Sequence, residues 1–404
     1  MLSLKLLLAL LPAVFAAPNP RSKDPDVVEG KYIITLKPKI VEVQIEHHLS
    51  WVEDTHKRSL HRRDENGVEK IWSDNFKGYS GEFDKETIKE IKASDDVIAV
   101  EPVRKFELYQ QVITQSPAPW GLGSISHRTP NWHEYRYDNS SGNGTWAYVL
   151  DTGVNCNHTQ FEGRAHLGYN ALPHTEFIDA NGHGTHCAGT IASREFGVAK
   201  NASVIAVKVF HDSGSTTDVI LDGFEWAVTN ITNTPGRAQN SVVSMSLGGG
   251  RSPAFNAAIE NAYRAGILTV VAAGNEEKDA RDVSPASAPN AITVAAVDRN
   301  NVRASWSNYG AVVDIFAAGV DVVSTWIGTD TAVETISGTS MACPHVAGLA
   351  LYLMALEKLP TPADVTKRIK SLGTKNVVAN RGTGSPNLLA FNGVPEPSKL
   401  SKTG

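Results

Sequence analysis

Hydrophobic and polar positions follow two different patterns along the chain, and the pattern changes near residue 110. In the first region, short apolar runs alternate with charged stretches and predict strand, helix, strand, strand, helix and strand in that order. Asp84 is expected to cap the second helix, which has an apolar side. This order predicts a small ferredoxin-like α+β domain. The segments are residues 31–36, 41–58, 71–83 (a hairpin), 84–93 and 97–102.

The region after residue 110 contains continuous runs rich in Val and Ile, separated by helical patterns. Such runs are typical of strands buried on both faces, as in parallel sheets covered by helices. We therefore predict a doubly wound α/β domain with a mostly parallel sheet and a site outside the carboxyl ends of the strands. The predicted strands are 145–150, 203–209, 240–247, 267–273, 292–297 and 312–317, and the predicted crossover helices are 225–230 and 254–265.

The N-terminal segment MLSLKLLLALLPAVFAA combines a positive charge at Lys5, an apolar run and a small-residue cleavage site. This combination is typical of a secretory signal peptide, and the apolar run is too short to span a bilayer. We predict a signal peptide at 1–16, a first domain at 17–110 and a second domain at 111–404. The expected location is extracellular, with the vacuole as the alternative.

Composition and charge add two constraints to this organisation. The 404 residues are 41% hydrophobic and carry a formal net charge of −5, so neither nucleic acid nor a membrane is an expected partner. Three cysteines, Cys156, Cys187 and Cys343, allow at most one disulfide. Five sequons are candidate glycosylation sites, as expected for an exported protein: Asn139, Asn143, Asn157, Asn201 and Asn230.

Two polar side chains stand out beside predicted elements of the second domain. Asp151 directly follows the strand at 145–150, and a carboxylate there is costly unless it is hydrogen-bonded or paired, although a turn-forming role would also explain it. His183 lies between two glycines just before a small-residue helix, where substrate can approach closely. We interpret His186 and His345 as structural histidines and His183 as a candidate reactive group.

Ser340 and Asn275 complete the candidate chemistry. Ser340 precedes VAGLALYLMAL, which is apolar on nearly every face and therefore predicts a central buried helix. A serine at a helix start is commonly a cap, but Gly338 before it would leave the hydroxyl open in front. Pro344 is expected close to the helix start, where N–H groups lack intrahelical partners. The Asn275 amide could donate to a developing oxyanion or simply form a turn.

In this order, the segments DTG, GHGTH, AAGN and GTSMA resemble the subtilisin superfamily of serine peptidases, in its fungal proteinase K-like branch. The 32-residue interval between Asp151 and His183 fits that family. The resemblance covers nearly the whole chain, because the first domain resembles the inhibitory I9-type propeptide and residues 118–122 resemble the start of a mature fungal enzyme. It implies a subtilisin-like fold and a secreted endopeptidase made as a zymogen that removes its own propeptide.

The resemblance also assigns roles to individual residues. It makes Ser340 the nucleophile, His183 the general base and Asp151 the residue that orients the imidazole, with Asn275 in the oxyanion hole. Small walls of the primary specificity pocket imply broad cleavage after apolar and aromatic residues, and an edge strand would pair with extended substrate. The matching substrate-binding residues are Ser213, Gly214, Ser215, Ser246, Leu247, Gly248, Gly249, Ala272, Ala273 and Gly274.

A structural calcium ion is implied as well, although the triad needs no cofactor for catalysis. The matching ligands are the carbonyls of Pro289 and Ala291 and the carboxylate of Asp314, whereas Thr383 stands in place of an aspartate at the family's second, weaker site. The disulfide positions of proteinase K lack cysteine here, so we predict no structural disulfide. The expected partners are protein and peptide substrates and the propeptide, which acts as inhibitor and chaperone of a monomeric enzyme.

The sequence leaves two other interpretations open. A non-catalytic binding protein could share the fold, but every group that the catalytic chemistry requires is present. A hydrolase of esters would use the same triad, but the strand expected to pair with extended substrate favours peptides. Labelling of Ser340 by a fluorophosphonate, together with degradation of casein, would separate these interpretations.

Overall fold

The computed structural model describes residues 27–58, 67–104, 112–212 and 214–395. The chain divides into two compact units, residues 1–109 and 110–404. The predicted signal peptide at 1–16, the predicted junction between residues 110 and 111, and Ser213 lie outside the described residues. The domain boundaries and the leader therefore stay predictions.

The smaller unit has the element order that the sequence predicts. Within its described residues, the strands form one sheet in the order β2-β3-β1-β4, and β1 pairs antiparallel with both β3 and β4. This is the ferredoxin-like arrangement, so that prediction is confirmed. The elements are β1 (Val27–Leu36), α1 (Glu42–Arg58), β2 (Gly67–Trp72), β3 (Gly78–Glu82), α2 (Lys85–Ala93) and β4 (Val97–Arg104).

Apolar side chains from the two helices and from β1 and β3 form the core of the smaller unit. Ile34 of β1 is fully buried in one cluster with Val52 of α1 and Ile91 of α2. Asp84 caps α2 as predicted, because its carboxylate accepts a hydrogen bond of 2.7 Å from the Thr87 N–H. The unit is thus held by a thin apolar layer between its sheet and its helices.

The larger unit begins with a small two-stranded sheet and then forms a large sheet. Its first half contains β5 (Val112–Gln115), α3 (Trp120–Ser126), β6 (Tyr135–Asp138), β7 (Trp146–Asp151), β8 (Ala165–Asn170), α4 (His183–Ala192), β9 (Ser203–Lys208), α5 (Thr217–Asn233), β10 (Ser241–Met245) and β11 (Gly249–Gly250). Its second half contains α6 (Pro253–Arg264), β12 (Leu268–Ala272), β13 (Val283–Ser284), β14 (Ile292–Val297), β15 (Ile315–Ala318), β16 (Val322–Thr325), β17 (Val333–Ile336), α7 (Thr339–Glu357), α8 (Pro362–Leu372), β18 (Thr374–Lys375) and β19 (Leu388–Leu389).

The large sheet has the strand order β18-β19-β15-β14-β12-β10-β7-β9-β8. All of its described pairings are parallel except that of β18 with β19. The strand order reverses around β7, because β9 lies on one side of it and β10 on the other. The predicted doubly wound, mostly parallel sheet is therefore confirmed, and its switch point lies beside the end of β7.

Both faces of this sheet are covered by helices, which explains the continuous apolar runs in the sequence. In β7, Ala147 and Val149 face the cluster that contains α4 and α7, whereas Tyr148 and Leu150 face the cluster that contains α5 and α6. Successive side chains of a strand point to opposite faces, so each residue of β7 meets apolar neighbours.

Helix α7 is the central helix of the larger unit, as its apolar composition predicts. Among the described helices it alone has the length and hydropathy of a membrane span, but 89% of that window is buried inside the unit. For other elements, the predicted bounds differ from those in the structure. The helix predicted at 225–230 extends over the whole of α5, the strand predicted at 312–317 begins only at Ile315, and β8 and α8 were not predicted. Short polar interruptions hid these elements from a search for apolar runs.

Candidate active site

A cleft of about 550 Å³ opens at the carboxyl ends of β7, β10 and β12. Each of these strands ends in residues that line it, because the loops that follow parallel strands emerge at the same edge of the sheet. Asp151 ends β7, and Asn275 comes shortly after β12. The cleft also contains His183 from the start of α4 and Ser340 from the start of α7.

The side chains of Asp151 and His183 form a hydrogen-bonded pair in this cleft. The Nδ1–H of His183 donates to Oδ1 of Asp151 at 2.8 Å, and the Thr152 N–H donates to the same oxygen at 2.8 Å. The Asp151 carboxylate is almost fully buried, so its orientation is fixed by these donors. With Nδ1 carrying the proton, Nε2 of His183 is the ring nitrogen left to accept one.

The environment of His183 changes the basicity of its ring. Burial lowers the pKa of His183, but the charge of Asp151, together with smaller contributions from Cys187 and from hydrogen bonds to both residues, outweighs this effect and holds the pKa well above its usual value. The Sγ of Cys187 lies 3.9 Å from Nδ1. Burial raises the pKa of the Cys187 thiol, so we interpret Cys187 as a neutral packing group rather than a nucleophile. All three cysteines are free.

Glycines allow the helix that carries His183 to approach the loop after Asp151. A Cβ atom at Gly184 would lie 2.1 Å from the Gly153 carbonyl oxygen, a contact that no larger residue could tolerate. Gly182 has a φ of 101° and packs on the ring of Trp326. The glycines that flank His183 therefore serve close packing of the backbone, which brings the imidazole to Asp151.

A second buried carboxylate, which the sequence analysis did not identify, joins the same two segments. Oδ1 of Asp179 accepts hydrogen bonds from the Thr152 hydroxyl at 2.8 Å and from the N–H groups of Asn181 and Gly182. Its Oδ2 accepts from the N–H and the hydroxyl of Thr185 at 2.9 and 2.6 Å. Asp179 thus ties the residue after Asp151 to the first turn of α4. Its position four residues before His183, in a polar loop that precedes a helix, was the available signal.

Ser340 is held by a reciprocal contact with Ser246. The Ser340 hydroxyl donates to the Ser246 carbonyl at 3.2 Å, and the Ser246 hydroxyl donates to the Ser340 carbonyl at 2.8 Å. No hydrogen bond joins Ser340 to His183, both of which the structure describes. Helix α7 begins at Thr339, so Pro344 lies deeper in the helix than predicted and leaves the Ser340 carbonyl without its i+4 donor. Ser246 and the Cys187 thiol, at 3.5 Å, satisfy that carbonyl instead.

The amide of Asn275 has a defined orientation. Its Oδ1 accepts from the Thr339 N–H at 2.9 Å and from the Thr339 hydroxyl at 2.8 Å, so its Nδ2 is the group that remains available to the cleft. Asn308 supports the same loop, because its Oδ1 accepts from the N–H groups of Glu276 and Lys278. Thr339 and Asn308 were not identified from the sequence.

Most of the predicted substrate-binding residues line the cleft. Ala273 is fully buried behind it. The N–H and the carbonyl of Gly214 both bond to His211, so that residue is paired within its own turn, next to Ser215. The cleft residues that were not predicted are Thr152, Asn181, Phe210, Asp212, Gly250, Glu276, Lys278, Val283 and Thr339. The predicted residues in the cleft are Ser246, Leu247, Gly248, Gly249, Ala272 and Gly274.

The two histidines interpreted as structural are buried away from the cleft. His186 hydrogen-bonds to the Val322 carbonyl at 3.0 Å and His345 to the Met341 carbonyl at 2.8 Å. Burial lowers the pKa of each to about 4, so both are neutral at ordinary pH.

The remaining predicted site residues lie outside the cleft. Of the sequon asparagines, Asn230 is half-buried on α5 and its Oδ1 accepts from the Tyr148 hydroxyl, whereas the others are exposed: Asn139, Asn143, Asn157 and Asn201. The predicted calcium ligands lie at the start of β14 and just before β15. Among them, Asp314 forms an ion pair of 2.6 Å with Lys370.

Comparisons with known proteins identify the families to which the two units are similar. Residues 142–388 match the model of the Subtilase family, and residues 31–109 match that of Peptidase inhibitor I9. The chain is 56% identical over 397 residues to Subtilisin-like proteinase Mp1 of Magnaporthiopsis poae, covering 96% of this chain and 97% of that protein. It is 53% identical over 401 residues to Alkaline protease 1 of Emericella nidulans, covering 98% of each.

A solved structure is also similar to this chain. The crystal structure of a cold adapted subtilisin-like serine proteinase superposes with a TM-score of 0.64 at 40% sequence identity. The match covers 69% of this chain and 99% of that one. The similarity therefore extends over a whole solved protein.

Proposed function

Because the chain belongs to the subtilase family of serine proteases and carries an I9 inhibitor domain, we propose that it is an endopeptidase whose nucleophile is Ser340. In this proposal His183 is the general base and Asp151 orients it. The proposal rests on the 2.8 Å hydrogen bond between His183 and Asp151 in the cleft that Ser340 also lines.

The reaction follows from the properties of these three groups. The Ser340 oxygen attacks the peptide carbonyl carbon while Nε2 of His183 takes the hydroxyl proton, and the Asp151 carboxylate stabilises the imidazolium that forms. The proton then passes to the leaving amine as the C–N bond breaks, which leaves an ester on Ser340. Water, deprotonated by the same imidazole, hydrolyses the ester. The Ser340 hydroxyl must first turn from the Ser246 carbonyl toward His183, and catalytic hydrogen bonds in free enzymes commonly tighten only with substrate.

Two donors are suited to stabilise the oxyanion of the tetrahedral intermediate. Nδ2 of Asn275 is available because Thr339 occupies its Oδ1. The N–H of Ser340 lies in the first turn of α7, where backbone N–H groups have no intrahelical acceptor. Hydrogen-bond donors that are already positioned where the oxyanion will form stabilise the transition state more than they stabilise the bound substrate.

Broad specificity is proposed from the walls of the cleft. Ala272, Gly248 and Gly249 carry small side chains or none, which leaves room for apolar and aromatic groups of the substrate. An extended peptide would pair with the backbone around Gly214 and Ser215, which requires exchange of the Gly214–His211 hydrogen bonds. Protein and peptide substrates are therefore the proposed partners.

We further propose that residues 17–110 form an inhibitory propeptide that the enzyme removes by its own activity. The I9 match over residues 31–109 supports this assignment. The experiment is expression of Ser340→Ala, which should accumulate uncut at the junction near residues 110 and 111. Normal processing of that variant by the purified protein itself would contradict autocatalysis.

Export, glycosylation and a monomeric state complete the proposal. The signal peptide at 1–16 would send the chain out of the cell, and the exposed sequons would be the occupied ones. Mass spectrometry of the protein from culture medium tests both points. Recovery from the vacuole alone would favour the alternative location.

The nucleophile is tested directly by a fluorophosphonate probe. The probe should label Ser340 in the purified enzyme and abolish casein degradation in the same sample. Ser337→Ala is the matched control, because it removes a serine hydroxyl that bonds to the Asp321 N–H outside the cleft and keeps the serine at 340. Casein degradation that persists after complete labelling would contradict the proposed role.

A further inference from the structure

Asp314 is a largely buried carboxylate that links two strands of the large sheet. It lies just before β15, and its N–H donates to the Thr293 carbonyl at 2.9 Å. In return the Thr293 N–H donates to Oδ2 of Asp314, also at 2.9 Å. These two contacts fix the direction of the carboxylate and leave Oδ1 to be satisfied by another group.

The group that satisfies Oδ1 is the ammonium of Lys370, at 2.6 Å. Lys370 lies in the last turn of α8, whereas Thr293 belongs to β14 and Asp314 directly precedes β15. The side chain of Asp314 is 19% exposed, so its charge is costly without a cation beside it. The ion pair therefore neutralises Asp314 and connects α8 to the sheet.

The donor set at this position does not fit calcium well. Calcium takes six to eight oxygen ligands from carboxylates, backbone or amide carbonyls and water, and it needs the carboxylate oxygens to be open to it. Asp314 supplies the one side-chain ligand of the implied set, and both of its oxygens are engaged, Oδ2 by the Thr293 N–H and Oδ1 by the Lys370 ammonium. The carboxylate of Glu260 reaches Asn290, which lies between the two implied carbonyl ligands, but it is already engaged there by the Asn290 amide at 2.6 Å and by Arg264 at 3.2 Å. A divalent ion on Asp314 would also repel the Lys370 ammonium at the same oxygen.

We propose that Lys370 takes the place of the calcium ion that the family resemblance implies at Pro289, Ala291 and Asp314. The positive charge that holds the loop before β15 then comes from the chain itself. The enzyme is consequently insensitive to chelators at this site, and its stability depends on Lys370. This inference does not rest on the proposed catalytic roles.

Thermal unfolding of the purified enzyme tests the inference, with the nucleophile blocked by a sulfonyl fluoride to prevent self-digestion. Wild type should unfold at the same temperature in EDTA and in calcium chloride at one scan rate. Lys370→Met should lower the unfolding temperature by roughly 2–4 °C in EDTA. Lys367→Met is the matched control, because it removes an exposed lysine from the same helix and should have no effect.

A double-mutant cycle assigns the effect to the ion pair. In an Asp314→Asn background, Lys370→Met should have no further effect, because the partner charge is already gone. The proposal is overturned if chelation lowers the unfolding temperature of wild type. It is equally overturned if Lys370→Met behaves like Lys367→Met, or retains its full effect in the Asp314→Asn background.

Discussion

The smaller unit buries a single apolar cluster between its sheet and helices, whereas the larger unit also buries two carboxylates, Asp151 and Asp179, at one edge of its sheet. No Asp or Glu is buried in residues 27–58 and 67–104 of the smaller unit. A buried carboxylate is unfavourable unless donors surround it, and the larger unit provides those donors from several loops.

This difference indicates that the two units respond differently to substitution. In the larger unit, the buried polar groups fix the geometry of the cleft, so their loss should reduce rate more than stability. In the smaller unit, core side chains and helix-capping residues stabilise a small apolar core. Their loss should therefore lower the stability of that unit without changing the catalytic rate of the enzyme. Four substitutions test this contrast.

The largest effect is expected for Asp151→Asn. Loss of the carboxylate should lower kcat by about 10⁴-fold, because the imidazole loses its orienting acceptor and its stabilising charge. The pKa of His183 is raised by Asp151, and activity requires the neutral ring, so wild-type activity should rise with pH through that raised pKa. In the variant this rise should move to lower pH.

The measurement for Asp151→Asn is kcat/KM against pH on a peptide substrate. Asp212→Asn is the control, since its exposed carboxylate lines the same cleft without contacting His183 in the structure. If kcat/KM of Asp151→Asn rose with pH over the same acidic range as that of wild type, the role assigned to Asp151 would be contradicted.

The next effect is expected for Asn275→Ala. Removal of the Nδ2 donor should lower kcat by about 10²–10³-fold with little change in KM, because the donor contacts only the developing oxyanion. Thr339→Val keeps the amide and removes one of its two fixing bonds, so it should lower kcat less. Steady-state kinetics of both variants provide the test, and equal losses in the two would argue against a donor role.

A smaller loss is expected for Asp179→Asn. The amide NH2 of the new asparagine would point at backbone N–H groups that now donate to the carboxylate, and two donors cannot bond to each other. The repulsion should shift α4 relative to Asp151 and thereby lower kcat by about 10²-fold. Asp298→Asn is the control, because that carboxylate bonds to backbone N–H groups of an exposed turn outside the cleft. If both variants lost stability alone and kept kcat, Asp179 would have no positioning role.

The smallest effect is expected in the smaller unit, for Asp84→Ala. Loss of the cap should destabilise α2 by about 0.5–2 kcal/mol, seen as faster hydrogen exchange of α2 in the Ser340→Ala precursor. Activity of the processed enzyme should not change. Ser252→Ala removes the equivalent cap of α6 and should affect exchange in α6 only. Changed kinetics in the Asp84→Ala enzyme would break the contrast between the units.

Much of the fold was predictable because it depends on local periodicity. The runs that became β7, β10, β12 and β14 are apolar at successive positions, and the element order of the smaller unit follows from short segments. The interior of the cleft was less predictable. Thr339 meets Asn275 across 64 residues of sequence, and Thr152 meets Asp179 across 27, and no local pattern encodes such pairs.

The sequence alone determined the layers of both units and the presence of reactive residue types at strand and helix ends, because burial and periodicity act over a few neighbouring residues. Tertiary structure decided the rest. It determined which donors fix Asp179, which face of the Asn275 amide is available, and that a lysine meets Asp314. These are decided by loops that converge at one sheet edge or pack against a helix, and hydrogen-bond geometry depends on distances that only the folded chain sets.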